Sequence, residues 1–136
     1  MENSKLLRIF LVDDDPFCLN LYRQLLRNLG QTDVHLFSDS EDCVKNLPLQ
    51  PDLVILDYQM DQVNGLETLK KITSLDPNSS VVFISGEEDI SVAVNALKFG
   101  AIDYLTKTQI TEQRLNAVLD MANRIRDHAK HRYEQE

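Results

Sequence analysis

Five side chains able to do chemistry follow the ends of apolar runs in this 136-residue sequence. Asp13 and Asp14 follow Leu6 to Val12, Asp57 follows Leu53 to Leu56, Ser85 follows Val81 to Ile84, and Lys107 follows Ile102 to Thr106. One aspartate after an apolar run is most simply a turn former. Repetition at four run ends asks for another explanation. Two carboxylates about 4 Å apart repel by roughly 4 kcal/mol at an effective dielectric near 20, so three brought together need a cation or protons. An all-oxygen ligand set suits Mg²⁺ or Mn²⁺, with Lys107 neutralising part of the remaining charge. Asp14 is expected as a direct ligand, Asp13 as a water-mediated one and Asp57 as a third, the Gln59 backbone carbonyl completing the shell. An aspartate beside a hard cation, a hydroxyl donor and an ammonium also has what phosphoryl transfer needs: a nucleophile, charge compensation, and donors for the transferring oxygens. Asp57 is the expected acceptor, served by Ser85 and Lys107.

The elements between these positions must bring them to one edge. The short apolar runs Leu6–Val12, Leu53–Leu56, Val81–Ile84 and Ile102–Thr106, together with the alternating Asp33–Phe37, predict five strands. Helical signals separate them. Asp15 with Pro16 predicts an N-cap and first helical position, and Phe17, Leu21, Leu25, Leu26 and Leu29 follow at helical spacing as far as Gly30. Asp39 or Ser40 caps a weak helix through Cys43, Val44 and Leu47 that Pro48 stops. Gly65 opens a third helix with Leu66, Leu69, Lys70 and Ile72, ended by Asp76-Pro77. Asp89 caps a fourth with apolar positions Ile90, Val94, Leu97 and Ala101, stopped at Gly100. Thr111 opens the last, with Leu115, Val118, Ala122, Ile125 and Ala129 as its seam. Strands alternating with helices give a parallel sheet covered on both faces, because right-handed crossovers join its strands. The order 2-1-3-4-5 fits, with its switch point between the first and third strands, where Asp13, Asp14 and Asp57 lie.

Composition narrows the function classes. Twenty-two acidic against fourteen basic residues leave a net charge of -8. That balance argues against non-specific attraction to nucleic acid or an anionic membrane. Cys18 and Cys43 lack CxxC spacing and read as reduced thiols, which suits a cytoplasmic protein. Met1 to Leu7 is too polar for a secretory signal, and no run approaches the roughly 20 apolar residues of a membrane span. His35, His128 and His131 have no metal-ligand partners at useful spacing.

The set LVDD, VILDYQM with NG, VVFISG and GAIDYLTK resembles the receiver domain of two-component response regulators, from about Leu6 to Ile125. The resemblance implies the flavodoxin-like, doubly wound (βα)5 three-layer sandwich. It implies phosphoryl transfer to Asp57 from a phosphohistidine of a sensor histidine kinase or histidine phosphotransfer protein, with Mg²⁺ held at Asp13, Asp14 and Asp57. Ser85 then binds a phosphoryl oxygen, Lys107 pairs with the phosphoryl group, Tyr104 changes rotamer, and Gln59 and Glu87 tune the lifetime of the acyl phosphate. The domain catalyses its own phosphorylation and slowly loses the group to water, without being an enzyme in the ordinary sense. Its output would pass through the face formed by helix 4, strand 5 and helix 5. Three residues depart from the family's commonest pattern: Asp61 stands where proline usually follows the methionine, Gly86 replaces alanine, and Thr108 follows Lys107 where proline is usual. A trans Lys107–Thr108 bond and a somewhat shifted lysine are expected.

Residues 1–125 are thus read as the receiver and 126–136 as an extension of the last helix, a linker to an output domain or the seam of a weak homodimer. Two other classes compete. A haloacid-dehalogenase-type phosphatase needs a second aspartate two residues after its nucleophile, and Gln59 stands there. A pseudo-receiver that binds a protein without phosphorylation is disfavoured by Asp14, Asp57, Ser85 and Lys107 all being present. No DNA-binding motif follows the receiver.

Overall fold

Three of the five strands are buried at every position, which explains why their sequences are dominated by unbroken apolar runs rather than alternating ones. The computed structural model describes residues 5–60, 63–86 and 90–135, without the side chains of 63, 64 and 130–135. Strands β1 (Ile9–Val12), β2 (Val34–Phe37), β3 (Leu53–Asp57), β4 (Ser80–Ser85) and β5 (Asp103–Thr106) pair in parallel in the order 2-1-3-4-5. The doubly wound topology expected from the sequence is therefore present. β1, β3 and β4 are buried at every position, whereas the edge strand β2 is half-buried throughout.

Strand alternation divides the core between the two faces. Ile9, Leu11, Leu53, Ile55, Val82, Ile84 and Leu105 pack on helices α1 (Pro16–Asn28) and α5 (Glu112–Gln135). Phe10, Val12, Val54, Leu56, Val81 and Phe83 pack under α2 (Ser40–Lys45), α3 (Gly65–Leu75) and α4 (Ile90–Lys98). The caps follow the sequence: Asp15 accepts from Phe17 N–H at 2.9 Å, Asp39 from Asp42 N–H at 2.8 Å, and the Thr111 hydroxyl from Arg114 N–H at 3.1 Å. Gly100 takes φ +111° at the end of α4, where its N–H and that of Ala101 reach back to Leu97 and Ala96 carbonyls.

Helix faces differ from the spacing-based expectation in two places. On α1 the buried residues are Leu19, Tyr22 and Leu26, while Phe17 is 72% exposed and Leu21 42%. On α4 Ile90, Val94 and Leu97 face outward at 82%, 56% and 52% exposure, and Ala96 is the buried residue. The α4 residue turned into the core is thus a small one. Pro48 does not stop α2, which already ends at Lys45; it lies in a separate 3-10 turn, Leu47–Leu49. The expected cap Asp89 lies outside the described residues.

Leu115, Val118 and Ala122 of the anticipated α5 seam are buried in the domain's own core, along with Leu119. They are not a surface open to a second copy. Beyond them α5 runs without a break to Gln135. Its departure is fastened by Arg126, which donates to the Leu6 carbonyl at 3.2 Å and lies 3.6 Å from Asp52 Oδ2.

Candidate functional site

The parallel register sets the site. Val12 pairs with Leu56, so the next residues along, Asp13 and Asp57, emerge side by side at the carboxyl edge of β1 and β3. Asp57 in turn pairs with Ile84, which places Ser85 one residue further along β4, and Ser85 pairs with Thr106, the residue before Lys107. Asp13, Asp57 and Ser85 are each no more than 2% exposed. Carboxylate oxygens of Asp13, Asp14 and Asp57 lie within 4.8 Å of one another, with Asp14 on the solvent side.

Backbone N–H groups and one ammonium compensate the two buried carboxylates in part. Asp13 Oδ1 accepts from Asp15 N–H at 2.9 Å, but its buried Oδ2 has no hydrogen-bond partner. Asp57 Oδ1 accepts from Gln59 N–H at 3.1 Å, and Lys107 Nζ stands 3.9 Å from Asp57 Oδ2. Burial, followed by repulsion from Asp13, pushes the Asp57 carboxyl up to about 7 despite Gln59 and Lys107. Asp13 is raised as well, chiefly by burial. Burial would lower the Lys107 ammonium, but Asp57 and Asp13 outweigh it and the net shift is upward. The orphaned buried oxygen of Asp13 beside two more carboxylates fits a hard divalent cation, which takes oxygen ligands without protonating them. These are the oxygen donors of an acidic pocket.

The loop after Asp57 is held by a close approach of backbone to backbone. Gln59–Met60 and Val63–Asn64 form a short antiparallel pair, and Gly65 then starts α3. A Cβ on Gly65 would sit 2.9 Å from Tyr58 Cα, so a side chain there would push the loop away. Asp61 and Glu87 lie outside the described residues. Gly86 is exposed, and a Cβ there would make an ordinary 3.5 Å contact with Gln59 Oε1, so the glycine leaves about a methyl group of extra room. Tyr104 is half-buried and packs against the core on the α3 and α4 side.

Lys107 opens a 3-10 turn, Lys107–Gln109, and its bond to Thr108 is trans as expected. A capping box closes this turn: the Gln109 side chain accepts from Thr106 N–H at 3.0 Å, while the Thr106 hydroxyl accepts from Gln109 N–H. Neither residue was singled out by run ends or helical spacing, although T-x-x-Q is a legible capping-box pattern.

A sequence profile of the response regulator receiver domain matches residues 9–120. The chain belongs to the response regulator receiver family. It is 36% identical over 111 residues to the response regulator protein TmoT of Ectopseudomonas mendocina, covering 81% of this chain and 50% of that protein. It is 28% identical over 101 residues to the chemotaxis protein CheY of Thermotoga maritima, covering 74% of this chain and 84% of CheY. Among solved structures, the receiver domain of NtrX from Brucella abortus superposes with a TM-score of 0.76 at 30% identity, covering 84% of this chain and 96% of that one. The receiver spans about half the length of several curated relatives that it matches. Receiver domains are signalling domains whose role is to accept a phosphoryl group. Among the described residues no helix is long and apolar enough to cross a membrane.

Proposed function

We propose that Asp57 is the phosphoryl acceptor of this receiver, loaded from a phosphohistidine of a sensor histidine kinase or a histidine phosphotransfer protein. The observation that carries this reading is the buried carboxylate of Asp57, flanked by Asp13 and faced by Lys107 at 3.9 Å. An Asp57 oxygen forms the new P–O bond as the donor's P–N bond breaks, and the departing imidazole leaves with the electron pair and takes up a proton. Asp13, Asp14, Asp57 and the Gln59 carbonyl would hold Mg²⁺ or Mn²⁺, which when bound neutralises charge on the transferring oxygens. Lys107 supplies a fixed positive charge on the same side, and the Ser85 hydroxyl a donor from the neighbouring strand. The lowered proton demand of a cation-bound site also keeps Asp57 ionised, and only the ionised carboxylate is a nucleophile.

Burial makes the new charge hard to ignore. A phosphoryl group on Asp57 draws Ser85 towards it, Tyr104 turns into the space released, and the surface of α4, β5 and α5 alters. A partner or output domain reads that surface, with residues 1–125 forming the switch and 126–136 a helical connection to an output domain. Gln59 and Glu87 set how long the acyl phosphate survives attack by water. The kinase donor and the two reduced thiols suit a cytoplasmic location.

Intact mass after incubation with Mg²⁺ and acetyl phosphate tests the reading. One added phosphoryl group is expected, absent in Asp57→Asn and absent when Mg²⁺ is chelated. An adduct that persists in Asp57→Asn would overturn the assignment.

A further inference from the structure

Lysine carries its charge on a flexible four-carbon stem, so its backbone must be held if the ammonium is to keep a useful position. Lys107 stands between two fixed points. Behind it, Thr106 is paired with Ser85 in the β4–β5 ladder; ahead of it, Gln109 closes the 3-10 turn back onto Thr106 with hydrogen bonds in both directions. The Thr106 and Thr108 hydroxyls, 3.0 Å apart, link the turn a third time. Thr106 is buried at 6% exposure, whereas the Lys107 side chain is 36% exposed, so the firm part of this segment is the turn and not the side chain. At 3.9 Å from Asp57 Oδ2, the ammonium already stands at the outer limit of an ion pair. A small shift of the turn takes it out of reach.

We infer that Gln109, acting with Thr106, is a positioning residue for Lys107 in phosphoryl transfer onto Asp57. The inference rests on the function proposed above. Gln109 touches none of the reacting atoms; it accepts the Thr106 N–H at an edge strand and so fixes the direction in which the next residue leaves the sheet. The sequence after the lysine lacks a rigid residue of its own, and the T-K-T-Q capping box supplies the constraint through hydrogen bonds.

Phosphorylation rates with acetyl phosphate and Mg²⁺, read by intact mass on the full chain, test this. Gln109→Ala is expected to slow labelling roughly tenfold, in line with the cost of misplacing a group by a fraction of an ångström to an ångström. Gln109→Glu keeps an acceptor for the Thr106 N–H and restores most of the rate. In a Lys107→Ala background, Gln109→Ala adds no further slowing, because the residue through which it acts is gone. A merely structural role would leave the loss undiminished in that background. The inference is overturned by labelling of Gln109→Ala at the parental rate, by an equal loss with and without Lys107, or by Gln109→Glu being as slow as Gln109→Ala. Should Gln109→Ala fail to fold, Thr106→Val, which removes the reciprocal bond together with the Thr106–Thr108 hydroxyl link and keeps the bond from Thr106 N–H to Gln109, is judged by the same rate and the same background. If the parent chain takes no phosphoryl group, the reading of Asp57 itself fails; if the parent is labelled and both variants match it, only the positioning role does.

Discussion

Asp57 carries the conflict that defines this molecule at the scale of the residue. The fold buries it beside Asp13, and both carboxyls rise. Linkage gives the sign of the consequence. With a folded value of about 7 against an ordinary 3.8, the folded state binds the proton more tightly, so the contribution of Asp57 to stability is fully present below 3.8 and is lost as pH rises through about 7. The upper bound for this loss is about 4 kcal/mol, at roughly 1.4 kcal/mol for each pH unit between the two values. Urea unfolding of the metal-free chain is therefore expected to show Asp57→Asn more stable than the parent at pH 8 and no more stable near pH 4. Excess Mg²⁺ at pH 8 should close most of that gap by stabilising the parent. Equal stabilities at both pH values would remove the electrostatic account. Gly65 makes the other residue-scale prediction. Its missing side chain lets Tyr58 backbone pass within what would be 2.9 Å of a Cβ, and Gly65→Ala is expected to cost about 1–3 kcal/mol, measured as a lower unfolding midpoint.

Elements were legible where one physical cause dominates their sequence. β1, β3 and β4 are covered on both faces and read as apolar runs, and the polar residues at their carboxyl ends, Asp13, Asp57 and Ser85, were legible as one cluster because the run ends repeat and the parallel register brings them to one edge. Helix faces were not legible in the same way. α1 has apolar residues on two adjacent stripes, and periodicity alone cannot say which one the sheet covers. On α4 the large side chains point outward and Ala96 inward, since close packing on a sheet favours a small residue that hydropathy underrates. The Gly65 requirement was hidden for a different reason: it depends on where Tyr58 runs in space. These faces make a test. Val94→Thr and Leu97→Gln are expected to change stability by no more than about 0.5 kcal/mol, as for other solvent-facing positions. The face anticipated from spacing would instead have cost about 2–5 kcal/mol, as truncating a core leucine does. Thermal or urea midpoints decide between them.

At the scale of the whole molecule, the question is how far the receiver's rigidity extends along α5. The family profile stops at residue 120, yet the helix continues to Gln135. Leu115, Val118, Leu119 and Ala122 commit its apolar side to the sheet, and Ile125 is 37% exposed, so hydrophobic contact fades just where the helix leaves the domain. Polar fastening takes over there. Arg126 reaches the Leu6 carbonyl, Asp52 and Asn123, tying the helix to the amino-terminal edge of the sheet, the end opposite Asp57. The Lys5–Asp127 pair at 2.6 Å is exposed on both sides and contributes little to stability, as solvent-exposed pairs generally do. Arg126→Ala is accordingly expected to lower overall stability by only about 1 kcal/mol while greatly reducing amide-exchange protection in α5 beyond residue 122. Protection in β1 and β3 should persist. Lys5→Ala should change neither. If protection beyond residue 122 survived Arg126→Ala, the helix would be held by its own propensity, and the signal proposed to leave the α4–β5–α5 face would reach the proposed output domain through a stiff rod rather than through a helix whose base the receiver grips.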